Sequence, residues 1–164
     1  MEKSDVANKI RWFNDPEVNK TLLIEETLEL DKSIEWFERT RSDASRRDFV
    51  IETVDGKPIG IISLVHISDI HKTAEIYIVI GEKDYWGKGV MHEAESLFID
   101  WAFSSLKLEK IRADAVVNNI ASIITMKKLG FKIEGTLRKE RFLRGRHIDV
   151  IRLGLLKEEF KAAS

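Results

Sequence analysis

The stretch from Ile76 to Met91 constrains this chain more than any other. Ile76-Tyr-Ile-Val-Ile80 is a run of strand formers, Gly81 to Gly89 is a glycine-containing loop, and an amphipathic helix follows directly. In that helix Val90, Ala94, Leu97, Phe98, Trp101 and Ala102 recur at helical spacing on one side. The first turn of such a helix exposes unpaired backbone N–H groups and the positive end of its dipole. Glycine lets that backbone approach a ligand closely, so Gly87 and Gly89 would cradle a pyrophosphate, with Lys88 adding charge. Two familiar phosphate loops are excluded. The dinucleotide fingerprint needs a third glycine, and the Walker loop needs Ser or Thr after Lys88, where Gly89 stands.

The flanking elements follow from period and punctuation. Ser4-Asp5 can cap a first helix carrying Val6, Ile10 and Phe13, ended by Asn14-Asp15-Pro16. Asp31 precedes a second helix with Ile34, Trp36 and Phe37. Strand-forming runs then cover Asp48 to Val54, Ile59 to Ile67 and Ala74 to Ile80, with a hairpin signal at Asp55-Gly56. Lys110 to Val117 reads as a strand. Asn118-Asn119 opens a helix that ends near Gly130, and two strands flank a turn at Arg144-Gly145. The order of helices, antiparallel meander, then β-α-β-α-β-β predicts an α/β (α+β) domain, a mixed sheet with helices packed on it.

Two segments in this order carry a resemblance. The glycine loop and its helix are followed, some thirty residues on, by Asn119-Ile-Ala-Ser122 and then Lys127-Lys128-Leu129-Gly130-Phe131. Together they resemble the acetyl-CoA core of the GNAT superfamily of N-acetyltransferases. The similarity runs from about Asp48 to Leu155 and extends more weakly over Trp12 to Val18. Within the superfamily the chain resembles the ribosomal-protein N-terminal acetyltransferases and the bacterial spermidine N-acetyltransferases. The latter have segments like Ile24 to Leu30 and Ile70 to Ile76.

The resemblance implies a single domain over residues 1–164, with a mostly antiparallel central sheet, helices on both faces and a V-shaped splay between two parallel strands. It implies acetyl-CoA as cofactor. Backbone groups of Ile78, Val79 and Ile80 would bind the pantetheine arm, residues Trp86 to Met91 (Trp86, Gly87, Lys88, Gly89, Val90, Met91) the pyrophosphate, and Asn119, Ser122 and Lys127 would also meet the cofactor. Three departures stand out. Met91 is bulkier than the usual last loop residue. Met126 occupies the place of a tyrosine proposed to protonate the leaving thiolate. Only Met1-Glu2-Lys3 precede the first helix, so either the usual first strand is lacking or the start is truncated.

Acetyl transfer to an amine needs a neutral nitrogen, and a carboxylate can take its proton. Glu75, in the strand leading to the loop, is the expected base or amine anchor. Tyr77 lies on the same strand face and could substitute as the acid or pack in the core or acceptor wall. Glu25 and Glu26 form an acidic cluster with Glu29 and Asp31 that would attract a polyamine, and His71, in a turn near Glu75, could touch the acceptor. Trp12, Trp36 and Trp101 read as packing. No histidine pair has metal-ligand spacing, so no metal is expected.

Composition narrows the setting. The chain has 164 residues, 43% apolar and 34% charged, a formal net charge of −1 and no cysteine. It therefore has no thiol nucleophile, no disulfide and no general nucleic-acid surface. A polar start and the absence of a long apolar run predict a cytoplasmic protein without a membrane partner. The expected partner is a small-molecule amine or a protein N-terminus. The resemblance also allows a homo-oligomer. The competing readings are a non-catalytic acetyl-CoA-binding sensor or subunit, and an amino-sugar N-acetyltransferase.

Overall fold

Strand-forming residues from Arg47 to Ile80 fold into a three-stranded meander in a computed structural model that describes residues 1–20 and 22–162. β1 (Arg47–Glu52) turns at Gly56, whose φ is 81°, into β2 (Pro58–Ser68), and β2 pairs antiparallel with β3 (Thr73–Ile80). The turn is closed by Thr53, whose N–H donates to the Lys57 carbonyl and whose Oγ1 accepts from the Lys57 N–H, both at 3.0 Å. β4 (Lys110–Val116), β5 (Lys132–Leu143) and β6 (Arg146–Leu156) complete a six-stranded sheet of order β1-β2-β3-β4-β6-β5. Among the described residues only the β3–β4 pair is parallel. The sheet is thus mixed and mostly antiparallel, as its element order predicts.

Side-chain alternation along β3 divides the molecule into two packed layers. Ala74 and Ile76 join Ile62, Leu64, Ile111 and Leu153 beneath α4 (Val90–Ser105) and α5 (Ile120–Lys128), where Ile99, Phe98, Ile123 and Met126 are buried. Val79, with Tyr77 packed beside it, faces the other way with Ile61. There Trp12, Phe13 and Val18 come from α1 (Val6–Asn14) and α2 (Pro16–Asn19). α3 (Leu30–Thr40) lies against α1 on this second face. Helices therefore cover both faces of the sheet.

Some local readings change. Asp5 makes no side-chain cap to α1. Its Oδ2 accepts instead from the Glu2 N–H at 2.6 Å. Asp15 ends α1 and also starts α2, accepting from the Glu17 N–H at 2.8 Å. Asp31 sits inside the first turn of α3 rather than before it. Among the described residues the first strand is β1, after three helices. The Lys-Leu-Gly-Phe motif has a packing reason. A Cβ on Gly130, whose φ is 105°, would lie 2.2 Å from the Glu159 carbonyl oxygen, where the C-terminal segment crosses.

Gly81 is the glycine on which the layer of α1 depends. It follows β3 directly, and a Cβ there would stand 2.0 Å from the Trp12 ring. Trp12 is 1% exposed and donates its Nε1–H to Glu82 Oε1 at 2.9 Å, while Arg11 pairs with the same carboxylate. Ring and backbone cannot separate without breaking that bond. Gly81→Ala should therefore cost about 1–3 kcal/mol as an overpacking change. The thermal midpoint should fall by about 2–4 °C per kcal/mol. An unchanged midpoint in a denaturation scan would show that α1 is not seated through Trp12.

Candidate functional site

The parallel pair that joins the two halves of the sheet is short. Thr73, Ala74 and Glu75 pair with Lys110, Ile111 and Arg112, and the ladder then stops. Beyond this point β3 and β4 diverge, which is the splay that the resemblance implies. The Gly81 N–H donates across to the Ile59 carbonyl of β2 at 2.9 Å. A residue's N–H and C=O point to one side of a strand and alternate along it. Ile76, Ile78 and Ile80 therefore direct theirs toward β4, and at Ile78 and Ile80 no β4 ladder answers. Backbone polar groups that turn away from a strand need other partners. One is internal: Trp86 donates its indole N–H to the Ile80 carbonyl at 2.8 Å. That carbonyl is taken, which narrows the expectation for Ile80 to its N–H.

A cleft of about 920 Å³ opens at this splay. Its α4/α5 wall is built by the loop and the two helix starts. Gly87 and Gly89 have φ of 72° and 82°, and no atom lies within 4 Å of a Cβ built on either. The glycines serve backbone handedness rather than close packing. Gly89 caps α4, so the unpaired N–H groups of Val90 and Met91 open at the cleft, with Trp86 and Gly87 beside them. Asn119 and Ser122 line the same wall. Their spacing has a local purpose, because Asn119 Oδ1 accepts from the Ser122 N–H at 3.3 Å and caps α5. An unanswered strand edge opposite a helix N-terminus fits a pantetheine arm and a pyrophosphate. Lys88 and Lys127 are outside the lining. Lys88 Nζ lies 5.8 Å from the Tyr85 ring centre, and Lys127 borders a separate depression by Gly130.

The opposite wall is made by α1, α3 and the other face of β3. Glu75 and Tyr77 are both there. Glu75 is half-buried, and His66 Nδ1 lies 3.4 Å from its Oε2. The β2–β3 register shifts between Val65 and Ser68, and His66 has a φ of 52°, so a bulge aims this imidazole across the strand. Sequence reasoning selected His71 instead. His71 is exposed, its backbone N–H donating to Ser68 Oγ at 3.1 Å, and it does not line the cleft. A non-glycine bulge leaves no glycine signal, which is why His66 was missed.

Tyr77 is wall rather than free acid. Its hydroxyl accepts from Arg46 Nη2 at 2.7 Å, and burial pushes its pKa above the ordinary phenol value. Arg46 in turn holds Asp48 through two bonds of 2.6 and 2.9 Å, and Ser63 Oγ donates to the same carboxylate at 2.6 Å. Trp36, read from sequence as packing, lies in this wall with cations on its face: Lys9 Nζ is 3.2 Å and Arg46 Cζ 4.8 Å from its ring centre. Glu25 and Glu26 do not line the cleft. Glu25 Oε2 accepts from the Arg144 N–H at 2.8 Å, and Arg144 also donates to the Asn19 carbonyl at 2.7 Å, so this acid docks the β5–β6 turn.

One lining group has no sequence signal at all. Glu95 lies on the buried side of α4, 2% exposed, with no hydrogen-bond partner for Oε2. Burial pushes its pKa up to about 8. The folded state then holds a proton that the unfolded chain releases near pH 4.5, so this term favours folding less as pH rises from about 4.5 to 8. Glu95→Gln keeps shape and removes the titration. It should leave stability near pH 4.5 little changed and raise it at pH 8 by on the order of 4 kcal/mol. Parallel denaturant curves at the two pH values measure this. A gain equal at both would place Glu95 in water, not in the floor of the cleft.

The comparisons with known proteins agree with this geometry. Residues 1–132 match the family described as the acetyltransferase (GNAT) domain. Spermidine N(1)-acetyltransferase of Escherichia coli K12 is 32% identical over 151 residues, covering 92% of this chain and 75% of that protein. YdaF of Bacillus subtilis, provisionally named a ribosomal N-acetyltransferase, is 34% identical over 65% of this chain and 58% of its own. The crystal structure of spermidine N-acetyltransferase from Vibrio cholerae, in complex with CoA and spermine, superposes with a TM-score of 0.92. It shares 28% identity and covers 97% of this chain and 94% of that one. A matched family domain, a splayed β3–β4 pair and a glycine loop opening on a helix start converge: the chain belongs to the GNAT acetyltransferase family and is an acetyl-CoA-dependent N-acetyltransferase.

Proposed function

We propose that the two walls of the cleft divide the reaction, cofactor on the α4/α5 side and acceptor amine on the α1/α3 side, with Glu75 between them as the proton acceptor. The observation that carries this is the position of Glu75. It is the last β3 residue paired to β4, it lines the cleft, and it points away from the α4/α5 wall. An amine attacking through the splay would pass its carboxylate. Acetyl-CoA, when bound, supplies an activated acetyl group on a thiol leaving group.

On the cofactor side the chain supplies backbone. Ile78 offers its N–H and C=O to the pantetheine amides, and the N–H of Ile78 or Ile80 can donate to the acetyl oxygen as charge grows on it. Val79 shapes the opposite face, since its side chain is in the core with Trp12. Trp86, Gly87, Gly89, Val90 and Met91 take the pyrophosphate at the start of α4. On the acceptor side Glu75 accepts the ammonium proton, directly or through one water, and His66 at 3.4 Å holds the carboxylate in place. Met126 has no proton to return to the thiolate. Glu95 and His92, both in the lining of that wall, are groups that can carry it.

For the acceptor, the names of the relatives from Escherichia coli and Vibrio cholerae support a polyamine, and YdaF supports a protein N-terminus. Both are primary amines, and neutral amine attack is the step common to them.

Glu75→Gln is isosteric and removes the base. Turnover in a thiol-release assay should fall by about 10²–10⁴-fold while acetyl-CoA binding stays within about twofold. The absence of cysteine leaves the assay free of protein thiol. A variant that keeps the full rate would remove Glu75 from the reaction.

A further inference from the structure

The wall opposite the cofactor is cationic, and one of its cations has no counter-charge. Lys9, on α1, is 8% exposed and lines the cleft. Its ammonium lies 3.2 Å from the Trp36 ring centre and 5.6 Å from that of Phe13. Among the described residues it forms no ion pair and no hydrogen bond. Burial, with the like charge of Arg46 close by, pushes its pKa down to about 8, against a weaker pull from Asp48. An ammonium this far from water is costly unless paired, and a ring face compensates only part of that cost.

The carboxylates near it are already committed. Asp48 is held by two bonds from Arg46 and one from Ser63. Asp114, which also lines the cleft, accepts two bonds from Arg152 at 3.0 and 2.8 Å. Among the described residues Glu75 alone faces the acceptor space without an arginine bond, with His66 beside it. Arg46 uses Nε and Nη2 in the bonds to Asp48 and Tyr77, and among the described residues no bond is formed by Nη1. Arg141 adds a third cation to the rim.

These charges have the wrong sign for a polyamine. Glu75 can meet one ammonium, but each further ammonium of a polyamine would enter a pocket bearing Lys9 and Arg141, with the Arg46 charge offset by Asp48. They have the right sign for a molecule with an amine at one end and an anion at the other. From this arrangement we infer that the acceptor is an amine that also carries an anionic group, a carboxylate or a phosphate, with Lys9 and Arg46 binding the anion while Glu75 takes the amine. Lys9 and Arg46 are then specificity residues, and the Trp36 face between them positions both cations. The inference rests on the reading of this wall as the acceptor side. It differs from that reading in naming what the acceptor must carry.

Matched acceptors test it. Phosphoethanolamine against ethanolamine, and glucosamine phosphate against glucosamine, add a phosphate. Alanine against alaninamide adds a carboxylate, and spermidine supplies the polyamine. Thiol release gives kcat/KM for each, and calorimetry on the CoA-bound protein gives affinity without turnover. The anionic member of at least one pair should be favoured by about tenfold or more, as expected for a charged hydrogen bond. Whether the phosphate or the carboxylate pairs respond names the source of the anion.

In Lys9→Met the preference should collapse to within about twofold of unity, and in Lys9→Arg, which keeps the charge, it should persist. Thermal denaturation of both variants checks that α1 stays seated. Equal use of matched partners, a preference for spermidine, or a preference that survives in folded Lys9→Met overturns the inference. So does failure of every anionic member to bind the CoA-loaded protein better than its partner. Silence of every amine in thiol release, with acetyl-CoA bound, would instead overturn the reaction itself.

Discussion

Everything this molecule can do depends on a ladder that ends early. β3 and β4 share register for Thr73 to Glu75 and then part, although each strand continues, β3 to Ile80 and β4 to Val116. A sheet that stops pairing in its middle would ordinarily leave unanswered backbone groups in its core. Here it leaves them on the wall of an open cleft. The short pair holds the two halves of the sheet at a fixed angle, and the hydrophobic layer under α4 and α5 keeps them there.

That geometry also sorts residues by parity. Even positions on β3 present backbone to the opening and side chains to α4, and odd positions present side chains to α1 and α3. Glu75 and Tyr77 share the acceptor wall for this reason, and Ile78 offers only main-chain atoms to the cofactor. The loop after the strand completes the arrangement. Gly81 leaves room for Trp12 on one side, while Gly87 and Gly89 turn the backbone into α4 on the other. Trp86 ties the loop back to Ile80.

Local chemistry made part of this legible in advance. Glycine spacing before an amphipathic helix, Asn119 as a cap and strand alternation around Glu75 are all short-range signals, and the cofactor wall is built from them. The acceptor wall is not. Lys9 on α1 and Trp36 on α3 look in sequence like a helix-surface lysine and a core aromatic, and only the packing of α1 against α3 makes them a cation on a ring beside a cleft. Arg46, Asp48, Ser63 and Tyr77 meet across three strands, a juxtaposition no periodicity encodes. The acidic cluster misled for the same reason. Glu25 is visible as charge, but its partner Arg144 lies 119 positions away. Glu95 has a helical position that reads as surface until Ile99 and Phe98 show which side of α4 is buried.

The contacts of Arg144 with Asn19 and Glu25 have a temporal consequence. The acceptor wall draws on the first half of the chain, yet the segment linking its helices is pinned by the tip of the last hairpin. A chain emerging from the ribosome presents α1, α3 and the β1–β3 meander long before that tip exists. During synthesis Asn14 can already hold Leu28, and Leu22 and Leu28 can seat on Trp12, Phe13 and Val18, but Asn19 and Glu25 still lack their arginine. The segment linking the helices of the selectivity wall thus gains its last tie, from Arg144 to Asn19 and Glu25, only when the final hairpin exists. A growing chain therefore holds Lys9, Trp36, Arg46 and Glu75 well before it holds the hairpin tip that ties the segment between α1 and α3.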